Sequence, residues 1–127
     1  MRGEPALTLT LPLPPNIANA RMHWSAKHRA RVAYRNQCAA RLYARLIPAA
    51  PAAPLSGVRL DSTLYLWSTM DDDNATARLK FAADFLKWAG YIVDDKPSCL
   101  AWEGLPTQVV KRTREYRIEF TLTPIAA

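Results

Sequence analysis

Leu7, Leu9, Leu11 and Leu13 alternate with Thr8, Thr10 and Pro12. This period-two pattern predicts a strand over residues 6–13 with one buried face. Pro14-Pro15 ends it, and a loop rich in Asn and basic residues follows over 16–24. Ser25 is placed to cap a helix running to about Ile47, where Pro48 stops it. Val32, Ala33, Ala40, Leu42 and Leu46 would form its apolar face. Lys27, Arg31, Arg35, Arg41 and Arg45 would form its basic one. An Ala/Pro linker over 48–57 closes at Gly57. Leu60, Leu64 and Leu66 then fall in register on a strand over 58–67. From Ala75 to Ala89 there is no Pro or Gly, which predicts a second helix. Asp73-Asn74 sits where its N-cap is needed, and Gly90 where a C′ glycine ends it. A strand over 100–105, a basic loop over 106–115 and a last strand over 116–122 complete the chain. Val109-Val110 can extend a strand flanking that loop. The last strand alternates Tyr116, Ile118, Phe120 and Leu122. The order is β-α-β-α-β-β. It predicts a single α+β domain over 1–127, with both helices on one side of a small mixed sheet.

With 127 residues, 50% of them apolar, the chain is long enough for one hydrophobic core. No apolar run reaches the ~18 residues of a membrane span. Glu4 and Pro5 interrupt any signal-peptide pattern. Cys38 and Cys99 lack metal-ligand spacing and read as two buried, reduced thiols. The expectation is a cytoplasmic protein with no membrane partner.

Charge is where the chain departs from an ordinary small domain. The net charge is +6, yet Asp71, Asp72, Asp73, Asp84, Asp94 and Asp95 crowd into 25 residues and make up most of the 11 acidic ones. Clustered carboxylates repel one another and call for a cation among them. Mg²⁺, a hard ion that binds carboxylate oxygens and keeps several waters, meets that need, with Mn²⁺ as its substitute. On the predicted helix, Lys80 lies seven residues after Asp73, and Asp84 lies four after Lys80. All three therefore share a face. In an extended approach to the helix, Asp71 and Asp73 would point the same way and Asp72 away. Asp94 and Asp95 reach this site only if the chain folds back past the helix end. A lone Asp triplet is usually a solvated, helix-capping turn; the Lys and the later acids at matching spacings favour a metal site.

These residues resemble a known family. Asp71-Asp72-Asp73-Asn74, Lys80, Asp84, Ala89-Gly90-Tyr91 and Asp94-Asp95 look like the signature of the RusA-type Holliday-junction resolvases of bacteria and their phages. Leu11-Pro12-Leu13-Pro14-Pro15-Asn16 is similar to the family's N-terminal strand. The resemblance implies a homodimer that cuts four-way DNA junctions in recombination and repair, with Mg²⁺ as cofactor. It maps the catalytic acids and metal ligands to Asp71, Asp73 and Asp95, and the essential lysine to Lys80. Choosing Asp95 over Asp94 rests on the resemblance alone. Asn74, Asp84 and Asp94 would orient these groups.

A basic shell around an acidic pocket suits a polyanion whose backbone meets a metal at one point. Asn16, Arg21, His23, Lys27, Arg31, Arg35, Lys111 and Arg112 are the candidate DNA contacts. His23 reads equally well as a capping or surface residue. Trp67, Trp88 and Trp102 read as core or dimer surface. Two other functions fit the same residues: a non-catalytic branched-DNA-binding phage protein of this fold, and a metal-dependent nucleotide phosphohydrolase. The absence of a Gly-rich phosphate loop argues against the second.

Overall fold

The computed structural model describes residues 7–15, 23–94, 96, 99–102, 105–110 and 116–125. Seven elements follow in order: β1 (Leu7–Pro12), α1 (Trp24–Tyr43), β2 (Val58–Leu66), α2 (Asp72–Trp88), β3 (Leu100–Trp102), β4 (Thr107–Val110) and β5 (Arg117–Pro124). The class is α+β with two helices and a mixed five-stranded sheet. Five strands replace the four expected, because the strand expected over 100–105 is short and β4 is separate from it.

β5 lies between β1 and β2, antiparallel to both. β3 and β4 share the other side of β2, both parallel to it. β3 pairs with Val58–Leu60 and β4 with Thr63–Leu66, and the register slips by two residues between them. Pro106, with no N–H to give a ladder, immediately precedes β4.

The alternation expected for the strands is present. Leu9 and Leu11, Ile118, Phe120 and Leu122, and Val58, Leu60, Leu64 and Leu66 are all buried. Their neighbours on the opposite face are polar, led by Thr8, Thr121, Asp61 and Glu119. α2 buries Ala75, Leu79, Ala82, Phe85 and Leu86 in the same core. Each large apolar side chain so removed from water contributes roughly 1.5–3 kcal/mol. Cys38 and Cys99 are both buried and not joined in a disulfide. Burial pushes the Cys38 thiol up to about 11.

α1 corrects the expected faces. Ala33, Ala40 and Leu46 are exposed, whereas Tyr34, Cys38 and Ala39 are buried. A 3.6-residue period allows either stripe, and the tyrosine decides. Its hydroxyl donates to the Pro12 carbonyl at 2.7 Å, so the ring can enter the core with its polar end satisfied. The helix ends at Tyr43, short of Ile47. Arg45 adopts φ 60°, and Leu46 N–H donates to Arg41 O at 2.9 Å. This left-handed reversal turns Ile47 into the core.

α2 ends in the same way, on the predicted glycine. Gly90 has φ +88°, Tyr91 N–H donates to Leu86 O at 2.9 Å, and Gly90 N–H to Lys87 O at 3.2 Å. The Tyr91 ring packs 6.1 Å from that of Phe85, and its hydroxyl donates to the Pro48 carbonyl. No atom would meet an added Cβ at Gly90, so the cost of a side chain there is conformational. Gly90→Ala should therefore lower stability by about 1 kcal/mol, read as a lower urea midpoint at unchanged slope. Among the described residues, no helix is long and apolar enough to cross a membrane.

Candidate active site

The acidic run starts α2 three residues earlier than expected. Asp71 is the N-cap, with φ −60° and ψ 149°, and Asp72 and Asp73 stand in the first turn. Asp71 and Asp73 thus stand at the cap and in the first turn of one helix, and the extended approach expected from the spacing is not formed. An N-cap aspartate ordinarily accepts from the N–H of the second or third helical residue. Asp71 makes no such bond, so its carboxylate is not committed to the helix. The positive end of the helix dipole offsets part of the repulsion among the three acids.

The turn carrying Asp71 is fixed by residues that the sequence did not single out. Gln108 of β4 grips the backbone of Met70 at both polar atoms. Its amide donates to Met70 O at 3.0 Å, and its carbonyl accepts from Met70 N–H at 2.9 Å. Arg78 reaches back from α2, with Nε donating to Pro14 O at 2.8 Å and Nη1 lying 3.8 Å from the Met70 sulfur. Desolvation holds Arg78 below the usual guanidinium range. β4 lacks a clear alternation, so nothing in its pattern marked Gln108 as a brace.

Asp73, Thr76, Ala77 and Lys80 line one open depression of about 490 Å³. This is the i, i+4, i+7 face of α2 and bears out the common face expected for Asp73 and Lys80. Asp71, Asp73 and Lys80 are exposed, and none has an ion-pair partner among the described residues. Asn74 is half-buried in the same first turn.

Asp84 sits one turn beyond Lys80, but its carboxylate meets Arg31 of α1 at 3.2 Å. That guanidinium also lies 5.8 Å from the Phe81 ring centre. Arg35 lies 4.9 Å from the Trp88 ring centre, and its Nε is buried without a hydrogen-bond partner among the described residues. Both arginines, expected on a DNA-facing surface, are turned toward α2. Asp94 pairs with Lys87 at 3.2 Å. Lys87 is fourteen residues beyond Asp73, roughly 21 Å along the helix. The structure therefore holds Asp94 at the opposite end of α2 from Asp71 and Asp73. His23 is the N-cap of α1: its Nδ1 accepts from Ser25 N–H at 3.2 Å and lies 2.7 Å from Ser25 Oγ. The capping reading of His23 holds, and it displaces Ser25 as the cap. Its ring stacks 6.0 Å from that of exposed Trp24. Lys27 is half-buried in the first turn of α1. Asp95, Asn16, Arg21, Lys111 and Arg112 lie outside the described residues.

Among the described residues, no group of three or more His, Cys, Asp or Glu side chains is arranged to hold a metal ion. Of the expected ligands among the described residues, Asp71 and Asp73 are the carboxylates left unengaged at the start of α2. Such a pair fits Mg²⁺, which is commonly held through one or two carboxylates while keeping several waters. No family model matches the chain, and no curated protein is significantly similar to it.

Proposed function

We propose that this chain is a Mg²⁺-dependent, structure-specific DNA endonuclease that resolves four-way junctions as a homodimer, in the manner of the RusA-type resolvases it resembles. One observation supports this above the others. A carboxylate and a lysine that no described residue neutralises, Asp73 and Lys80, line one open depression on α2, and Asp71 stands unengaged at the cap of the same helix. A structural acid cluster is normally spent on caps and ion pairs, as Asp84 and Asp94 are here.

Asp71 and Asp73 would hold the ion, with Mn²⁺ as its substitute; the resemblance also names Asp95, although its neighbour Asp94 is held at the opposite end of α2. When bound, the ion supplies Lewis acidity and a water of lowered pKa. Asp71 and Asp73 would hold it at the start of α2, next to the depression that Asp73 lines. Lys80 offers a compact ammonium toward the same depression, where it stabilises negative charge building on the phosphate. Gln108 and Arg78 position these groups by clamping the Met70 turn. The net charge of +6 favours a polyanionic substrate. A two-fold symmetric junction needs two matched cuts, which a homodimer provides.

The test is incubation with a labelled four-way junction, a linear duplex and a nucleotide, in Mg²⁺ and in EDTA. Paired cuts in the junction alone, and only in Mg²⁺, are expected. Nucleotide hydrolysis without junction cleavage would favour a phosphohydrolase, and Mg²⁺-independent junction binding without cleavage a non-catalytic DNA-binding protein. Binding in EDTA should also weaken steeply with salt, with a log–log slope of about −0.9 per phosphate contacted. Lys27→Ala with Arg29→Ala, an exposed residue half a turn on along α1, should weaken junction and duplex binding alike and flatten that slope; an unchanged slope would remove the first two turns of α1 from the interface.

A further inference from the structure

A second concavity adjoins the acidic turn. It has a volume of about 430 Å³ and is walled by Leu13, Leu66, Trp67, Met70, Arg78 and Tyr116, among others. That volume lies within the roughly 300–1,000 Å³ of ordinary ligand pockets. Its position follows from the sheet: Tyr65 pairs with Arg117, and the register continued by one residue sets Tyr116 opposite Leu66. The two aromatic residues therefore come from adjacent strand ends. Both remain open to solvent, Trp67 at 49% and Tyr116 at 36% exposure. Arg78 spends one N–H on Pro14 O and a second on the Met70 sulfur. Its other N–H groups have no hydrogen-bond partner among the described residues. Met70 forms part of the wall and is bonded directly to Asp71.

We infer that this pocket receives one unstacked nucleobase of the DNA, stacked on Trp67 or Tyr116 with an acceptor edge on Arg78, beside the phosphate at Asp71 and Asp73. This rests on the proposed nuclease reading, which puts DNA at that turn. Aromatic faces accept any base by stacking. A guanidinium with unused donors reads acceptor atoms such as guanine O6 and N7. Branch points supply bases that are already partly unpaired, so little stacking has to be broken there. Three features of one pocket thus serve a single ligand: two aromatic rings in its wall, a cation with spare donors, and continuity with the acidic turn.

The test uses the full-length protein in EDTA, where binding is measured without cleavage. The probe is a four-way junction carrying 2-aminopurine at one branch-point position at a time. The parent protein should change the 2-aminopurine emission at one or more positions. Trp67→Ala should lose that response and bind on the order of ten-fold more weakly, Trp67→Phe should keep both, and Tyr116→Ala serves as an independent second variant. An abasic nucleotide at the responsive position should bind the parent as weakly as the base-containing junction binds Trp67→Ala. If Trp67→Ala and Tyr116→Ala match the parent in affinity and response, or if the abasic junction binds the parent undiminished, the pocket does not take a base. Cleavage in Mg²⁺ by the same preparations separates the two ideas. A parent that cuts while the pocket variants bind normally overturns only this inference; a parent that binds and responds but never cuts overturns only the nuclease reading.

Discussion

Asp73→Asn should abolish junction cleavage while leaving the fold and junction binding intact. Asp73 is exposed and has no ion-pair partner among the described residues, so an isosteric amide disturbs no contact. The change removes a favourable charge from the start of α2, worth roughly 0.3–1 kcal/mol. It also relieves repulsion from Asp71 and Asp72, so the two effects nearly offset. Cation binding is different, because a neutral amide is a weak ligand for a hard ion. The loss of cleavage should be at least on the order of 10³-fold, the upper end for one electrostatic group. Asp71→Asn should behave alike. Removing negative charge next to DNA should leave binding equal or tighter. Mg²⁺ binds only the folded pair, so it should raise the melting temperature of the parent and not of Asp73→Asn. Single-turnover cleavage and paired melts check this; cleavage by Asp73→Asn at the parental rate would show that the site is elsewhere.

Lys80→Arg should slow single-turnover cleavage on the order of 10²-fold, about 2.7 kcal/mol of barrier, with melting temperature and junction affinity nearly unchanged. A structural lysine would be paired, and the spacing alone allowed Asp84 as its partner. Asp84 is instead joined to Arg31, and Lys80 stands exposed without an ion-pair partner among the described residues. Its removal therefore breaks no strut. What it supplies is a compact point charge on the depression that Asp73 also lines, which the planar fork of arginine does not reproduce. Lys80→Ala should slow cleavage at least as much. A parental rate in Lys80→Arg, or a rate that falls only as far as stability does, would make the residue dispensable to the chemistry.

The parts of the fold legible in the sequence are those where one local rule acts alone. Period-two apolar residues located β1, β2 and β5, because each buries one face only. Gly90 announced the end of α2, because few other residues take its φ without strain. The start of α2 was harder. Any of four consecutive residues, Asp71 to Asn74, can cap a helix, and the choice is made by Gln108 holding Met70 from a strand 38 residues further on. β4 itself was hidden, since its pairing with β2 is parallel and its burial pattern mixed. The faces of α1 were misjudged for a related reason. Arginine reads as solvated from sequence, yet Arg31 and Arg35 lay their side chains on Phe81 and Trp88, as long cationic side chains do over apolar surface. The common face of Asp73 and Lys80 was legible because two helical turns nearly close. The place of Asp94 was not, because it depends on where the chain goes after Gly90 and on Lys87 waiting there.

Cation binding at Asp71 and Asp73 is the point on which the proposed chemistry depends, and it can be measured without DNA. Mn²⁺ added to the protein loses its free-ion electron paramagnetic resonance signal when bound. A saturable loss of signal with the parent chain, reversed by Mg²⁺ and abolished in both Asp71→Asn and Asp73→Asn, is the predicted result. A parent that leaves the Mn²⁺ signal untouched at saturating concentration, or variants that bind Mn²⁺ as tightly as the parent, would contradict it.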